Sequence, residues 1–244
     1  MKKKKNILGR GIGGLHNHAG FSLAEVLIAL GIIGIVSAMT IPTLINNKAK
    51  QETIAKLQKN YTILAQAIKL SEIDNGSVDY WDYSNAQSFY TTYLKPYLII
   101  AQEYIGVAKP ENIEYKTLNN QSFSTGASYY YSSTPKFILN DGTLMAISNL
   151  GSNYKIINVD VNGFNKPNQM GKDMFSLCIQ PKYGLTPYGF GNAYTGDSFG
   201  TNYDRAIIMS NSNDSACNKA KMGTWCAALI LLDGWQIKDD YPWN

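Results

Sequence analysis

The sequence predicts an α+β fold in which one long N-terminal helix packs on an antiparallel β-sheet head. Two observations carry this. An apolar run from Phe21 to Ile45 passes, beyond Asn46-Asn47, without an evident break into a stripe of Ile54, Leu57, Tyr61, Leu64 and Ile68. That 3-4-3-4 spacing lines one face of a helix. Further along, short runs rich in β-branched and aromatic residues flank Asn-Asp-Gly and Asp-Gly signals, the pattern of β-hairpins. A sheet with an apolar face and an amphipathic helix bury each other's apolar surface.

Residues 1–20 form a polar leader with Lys2, Lys3, Lys4, Lys5 and Arg10 and no acidic residue. Residues 21–45 then hold a single charge, Glu25. As a helix they would reach about 37 Å at ~1.5 Å per residue, enough to cross a hydrocarbon layer of ~30 Å. The basic run before this segment places the N-terminus in the cytoplasm and the rest of the chain on the outer side. An ordinary secretory signal has its apolar region before the cut. Here the polar leader ends at Ala19-Gly20 and the apolar region follows at once, so cleavage after Gly20 would retain the helix and expose Phe21. A carboxylate in a membrane helix is costly unless paired, which makes Glu25 a functional candidate. Its plainer role is to complement the positive end of the helix dipole. Gly34 and Ala38, with Gly31 and Ser37 nearby, permit close helix approach. Pro42 removes the hydrogen bond to the Ala38 carbonyl and is expected to kink or loosen the helix.

The segment Gly20-Phe21-Ser22-Leu23-Ala24-Glu25, followed by an apolar helix, resembles the cleavage and N-methylation segment of type IV prepilins and type II secretion pseudopilins. The matching features are a basic leader ending in glycine, phenylalanine after the cut, glutamate as fifth mature residue and Pro42 as the twenty-second. The leader is longer than many of the type IVa kind, with a glycine-rich middle (Gly9, Gly11, Gly13, Gly14). The resemblance is strong over about residues 15–70 and weaker beyond. It implies cleavage by prepilin peptidase between Gly20 and Phe21, N-methylation of Phe21, and inner-membrane storage of the mature subunit in the lipid bilayer. The inner-membrane assembly machinery would then build it, with other pilin or pseudopilin subunits, into a pilus or periplasmic pseudopilus. In such a filament Glu25 would pair with the α-ammonium of Phe21 on a neighbouring subunit, and the helix would bend or melt near Pro42. The large head leans toward a pseudopilin or minor pilin. The alternative is a membrane-anchored extracytoplasmic binding module that keeps its leader and does not polymerise.

Residues 46–76 are expected to continue the helix as its amphipathic half, stopped by Asp74-Asn75-Gly76. Residues 77–244 form the extracytoplasmic head. Within it, Gln87–Leu98 reads as a short helix ended near Lys95-Pro96. Residues 137–147 read as two strands around Asn140-Asp141-Gly142, and 154–161 and 174–180 as further strands. Residues 224–238 read as a closing hairpin around Asp233-Gly234, and 184–200 as a long surface loop. Clustered oxygens at Asp160, Asn162, Asn165 and Asp173 suit a hard cation such as calcium, and some pseudopilins bind calcium in head loops. The spacing is not that of an EF-hand, and the favoured reading is an Asx-rich turn that bonds its own backbone.

Composition narrows function further. The net charge of +4 belongs to the leader: five of 22 basic residues lie there, and the other 17 face 18 acidic ones. The mature chain therefore lacks the basic excess that nucleic-acid binding requires. Both histidines, His16 and His18, are also in the leader, so the mature chain can build no histidine-dependent triad or metal site. No catalytic residue, and so no enzyme activity, is expected. Of three cysteines, Cys178, Cys217 and Cys226, at most two can pair. An extracytoplasmic head would allow Cys217–Cys226 to close a short loop, the alternative being three buried thiols.

Overall fold

The computed structural model describes residues 21–104, 113–123, 134–148, 153–189 and 204–243. It contains the long N-terminal helix and the antiparallel sheet of an α+β, pilin-like arrangement. Helix α1 spans Leu23–Asn75 and Gly76 ends it with φ +77°, a left-handed backbone that glycine adopts without strain. The chain divides into two units at Asn46/Asn47.

In the second unit, the buried face of α1 carries Leu57, Leu64, Ala67 and Ile68, with Ile54 and Tyr61 packed at its margin. One polar residue sits in that face. Asn60, fully buried, donates to Thr143 Oγ1 at 2.9 Å and to the Lys56 carbonyl at 2.8 Å. Lys59 pairs with Asp141 at 2.8 Å, and the Tyr61 hydroxyl donates to the Leu185 carbonyl at 2.9 Å. Three polar contacts thus fix the rotation of the helix, which apolar burial alone leaves loose.

The strands are β1 (Ile100–Tyr104), β2 (Lys136–Leu139), β3 (Leu144–Ile147), β4 (Lys155–Asp160), β5 (Met174–Gln180) and β6 (Gly184–Pro187). They form one sheet in chain order, every neighbouring pair antiparallel. The turn at 140–142 is built as expected: Gly142 has φ +86°, and Leu139 and Thr143 close the hairpin at 2.9 Å. Every position of β4 and β5 is buried, so the sheet is covered on both faces; a half-wet sheet would alternate.

Three expectations change. Residues 184–187 of the predicted loop form the edge strand β6, whose Gly184 and Pro187 mask its strand character; 190–200 of that loop lie outside the described residues. The opposite edge, β1, reads Ile-Ala-Gln-Glu-Tyr, which carries no strand signal of its own. Residues 224–238 do not form a hairpin: Cys226–Leu232 is helix α4, which packs on β5 and β6. Asp233-Gly234 caps this helix. Gly234 has φ +73° and donates to the Leu231 carbonyl at 3.0 Å, and Trp235 donates to Ile230 at 2.8 Å. This pair of bonds is the Schellman closure of a helix C-terminus.

The short helix after α1 is present in three pitches. α2 (Ala86–Phe89) starts at Asn85, whose Oδ1 accepts from Gln87 and Ser88 at 2.8 and 3.1 Å. A wider π turn (Tyr90–Leu94) and a 3-10 turn (Lys95–Tyr97) follow, the latter with Pro96 in its first positions. Helix α3 spans Arg205–Met209.

Candidate processing and assembly segment

Gly20 lies outside the described residues; Phe21 and Ser22 precede the first turn of α1. Ser22 and Glu25 close that turn reciprocally. The Ser22 N–H donates to Glu25 Oε2 at 2.8 Å, and the Glu25 N–H donates to Ser22 Oγ at 3.2 Å. This is the S-x-x-E capping box, which satisfies two orphan N–H groups and puts a negative charge at the positive end of the dipole. The plainer role weighed for Glu25 is thus present within the single chain. Its signal in the sequence is serine three residues before glutamate.

Beyond the cap, α1 presents apolar side chains on every side: Leu23, Leu27, Ile28, Leu30, Ile32 and Ile33 are all more than half exposed. This part of α1 is long and apolar enough to cross a membrane, and none of that stretch is buried. A Cβ added at Gly31 or Gly34 would meet nothing within 4 Å. The chain's own fold therefore does not demand glycine there, although each glycine costs the helix about 1 kcal/mol relative to alanine. Pro42 lies inside α1, and the helix continues past it to Asn75.

The loop from Asp160 to Asp173 is stitched to its own backbone. Asp173 accepts from the Asn168 and Gln169 N–H groups at 2.8 and 2.7 Å, and Asp160 Oδ1 accepts from Asn162 N–H at 3.2 Å. Asn165 turns its amide nitrogen to the Asn162 carbonyl at 2.8 Å. The Asn168 amide, with its nitrogen toward Asp160, donates to Oδ2 at 3.3 Å and to the Asn165 carbonyl at 2.9 Å. Gln169 extends the network to the Thr117 and Leu118 carbonyls, both at 3.2 Å. Calcium takes about six to eight oxygens. Here three of the four carboxylate oxygens already hold backbone N–H groups and Asn165 offers nitrogen, so the donor set fits the Asx turn better than a cation. No group of three or more His, Cys, Asp or Glu suited to a metal occurs among the described residues. Burial, aided by the charge of Asp173, pushes the Asp160 carboxyl well above the usual carboxylate range; burial also raises Asp173.

Cys217 and Cys226 form a disulfide, and Cys178 is a buried free thiol on β5. Gly171, φ +79°, lies against this bridge: a Cβ there would stand 2.9 Å from Cys226 Sγ. A site that sequence reasoning missed is centred on Arg205, the sole arginine after the leader. Its guanidinium contacts Asp233 at 2.9 and 3.0 Å and Asp240 at 2.7 Å twice. Lys238 adds a second cation at 2.7 Å from Asp233. Burial opposes the Asp233 charge, but the bonds from Arg205 and Lys238 outweigh it and hold the carboxyl below its ordinary range. The cluster ties α3, the end of α4 and the C-terminal segment together.

Residues 15–41 match the family model described as Prokaryotic N-terminal methylation motif. This is the prepilin-type cleavage and methylation signal of type IV pilins and pseudopilins. It points to a structural subunit precursor processed by prepilin peptidase rather than to an enzyme, and with the apolar helix it is compatible with an inner-membrane anchor. No curated protein and no solved structure matches the chain. A second family model covers residues 43–244, most of the chain. The chain belongs to that family, described as Family of unknown function (DUF6613), and carries it behind a prepilin-type N-terminus.

Proposed function

We propose that this protein is a structural subunit of a type IV pilus-like or type II secretion pseudopilus filament. Prepilin peptidase cleaves it after Gly20, and it is assembled through its N-terminal helix by inner-membrane machinery. The observation that carries this reading is the methylation signal over 15–41 joined directly to an apolar helix that its own chain leaves uncovered. Such a surface is stable in lipid or against other helices, not in water. The open space around Gly31 and Gly34 supports the second environment, since small residues let neighbouring helices approach closely. Glu25 then serves assembly, its carboxylate attracting the α-ammonium of Phe21 on an adjacent subunit in a low-dielectric setting. The head lies outside the inner membrane, where a disulfide persists.

The test is intact mass and N-terminal sequence of the protein recovered from host membranes and from a sedimenting filament fraction. A chain beginning at Phe21, one methyl heavier and present in both fractions, is the expected result. A chain beginning at Met1, in cells with active prepilin peptidase, refutes the filament and favours the anchored binding module.

A further inference from the structure

The head turns one aromatic side chain outward on a turn whose neighbours are locked inward. Tyr80 is 89% exposed, while Val78 and Trp81 are buried. Trp81 Nε1 donates to the Gly76 carbonyl at 2.8 Å, and its ring stacks on Tyr93 at 4.4 Å. The Tyr83 hydroxyl donates to the Val78 carbonyl at 2.8 Å. The 3-10 turn Val78–Tyr80 is thus held from both sides, and little freedom remains for Tyr80 to lose on meeting a partner. Elsewhere on the head, a groove of about 290 Å³ opens between α1 and the approach to β1. The buried Ala67 and Leu139 line it, with Leu70 and Ile99, which are 51% and 75% exposed. Gln66 and Asn140 also line it, amides able to partner a buried phenol. Charge is divided between the two places. From Lys48 to Lys69, α1 carries five lysines and one glutamate. Between Lys69 and Lys95 the chain holds Glu72, Asp74, Asp79 and Asp82 and no basic residue. Asp79 and Asp82, both exposed, flank Tyr80, and Lys59 lines the groove.

We propose that Tyr80 of one copy seats in this groove of an adjacent copy, with its flanking Asp79 and Asp82 against the lysines of α1. This rests on the filament reading above and names the contact by which one head holds the next. Knob and groove are different patches of the same chain, so the contact is heterologous. Each copy that fills a neighbour's groove leaves its own open for a third, and the series extends instead of closing. An aromatic anchor in an apolar pocket, ringed by polar groups, carries most of the energy of such an interface. The opposed charges fix which way round the two heads meet.

The test uses the full-length chain expressed in its host, scored for the ratio of filament to membrane-bound protein, with head melting to report folding. Tyr80→Ala and Ile99→Asp alter exposed positions, so melting should not change, and each should lower the ratio by about tenfold or more. Tyr80→Phe, which keeps the ring, should lose only about threefold. For direct contact, a benzophenone amino acid replaces Tyr80 and the filaments are irradiated. The expected product has twice the subunit mass and carries the link at residues 63–70 or 97–99 of the second copy. A link to any other surface or to a different protein, filaments that form without a link between copies, or normal assembly of Tyr80→Ala overturns the proposal and leaves the filament reading standing. Depletion by Ile99→Asp alone means that the groove takes another partner, which also overturns it. A wild-type chain absent from filaments overturns both.

Discussion

Replacing both Cys217 and Cys226 by alanine isolates what the disulfide contributes to the head. The bridge spans nine residues of sequence. In the chain-entropy treatment, closing a loop of that length removes unfolded-state freedom corresponding to about 2.6 kcal/mol at 25 °C. Both sulfurs are fully buried, so alanine adds a small packing loss and no unsatisfied polar group. The native loop keeps other ties, including Cys217 N–H to the Ile208 carbonyl at 2.8 Å and Trp225 N–H to Ser215 at 2.9 Å. The effect should therefore fall on global stability rather than on local shape. For a head of this size, about 2–4 °C accompanies each kcal/mol, which gives a melting temperature lower by about 5–10 °C. Differential scanning calorimetry of the purified mature protein in detergent measures it, with thiol titration before and after denaturation. The wild type should release one titratable thiol, that of Cys178, only on unfolding. Identical melting temperatures for the two proteins, or three titratable thiols in unreduced wild type, would refute the reasoning.

Asp160→Asn should stabilise the head at neutral pH. The replacement keeps an oxygen for the Asn162 N–H and removes a buried charge beside Asp173. Because burial raises both folded carboxyl pKa values, their contribution to stability is fully present below the ordinary range near 3.8 and is lost as pH rises through the folded values. The gain from Asp160→Asn, on the order of 1–3 kcal/mol, should thus shrink toward zero on acidification, as read by melting across that range. A destabilised variant that calcium no longer protects would instead reveal a cation site. Arg205→Lys replaces a forked guanidinium by a point charge, leaving the Asp233 side chain, 1% exposed, with weaker pairing; a loss of about 1–2 kcal/mol is expected in chemical denaturation. Asp240→Asn, at a half-exposed partner, should cost clearly less than Arg205→Lys in the same assay, because water screens the exposed pair. Gly34→Leu should leave head melting unchanged, since its Cβ meets nothing in its own chain, and should deplete the protein from the filament fraction; normal incorporation would show that no helix packs there.

The processing segment was legible because its constraints are compositional: a basic leader, a glycine-phenylalanine junction and a single charge in an apolar run each leave a mark in one short window. The amphipathic half of α1 was legible through its period, except that Asn60 hides in the buried stripe and its partner Thr143 lies 83 positions away. The central strands announced themselves as short apolar runs, two of them on either side of the Asn140-Asp141-Gly142 turn. The edges did not: β1 reads Ile-Ala-Gln-Glu-Tyr and β6 Gly-Leu-Thr-Pro, and only pairing with β2 and β5 makes them strands. The Asp233-Gly234 pair shows the remaining ambiguity. A glycine with positive φ ends a helix as readily as it turns a hairpin, and the alanines of Cys226–Leu232, buried against β5, decide for helix. The Arg205 cluster joins residues 28 and 35 positions apart, a separation that local pattern does not register.

The sheet's strand order has a consequence for how the head comes into being. Each strand pairs with the one just before it, so a chain emerging N-terminus first can zip the sheet as it appears, the one long connection being residues 105–135 between β1 and β2. Helix α1 cannot be sealed on that schedule. Tyr61 donates to the Leu185 carbonyl, 124 residues later, and meets the Trp235 ring edge-on at 5.4 Å. The contacts of α1 with Asp141 and Thr143 can form earlier, but the margin at Tyr61 is completed only when Trp235 arrives. A chain truncated before Trp235 would keep all six strands yet expose that margin, a mark by which a quality-control protease could tell unfinished subunits from finished ones.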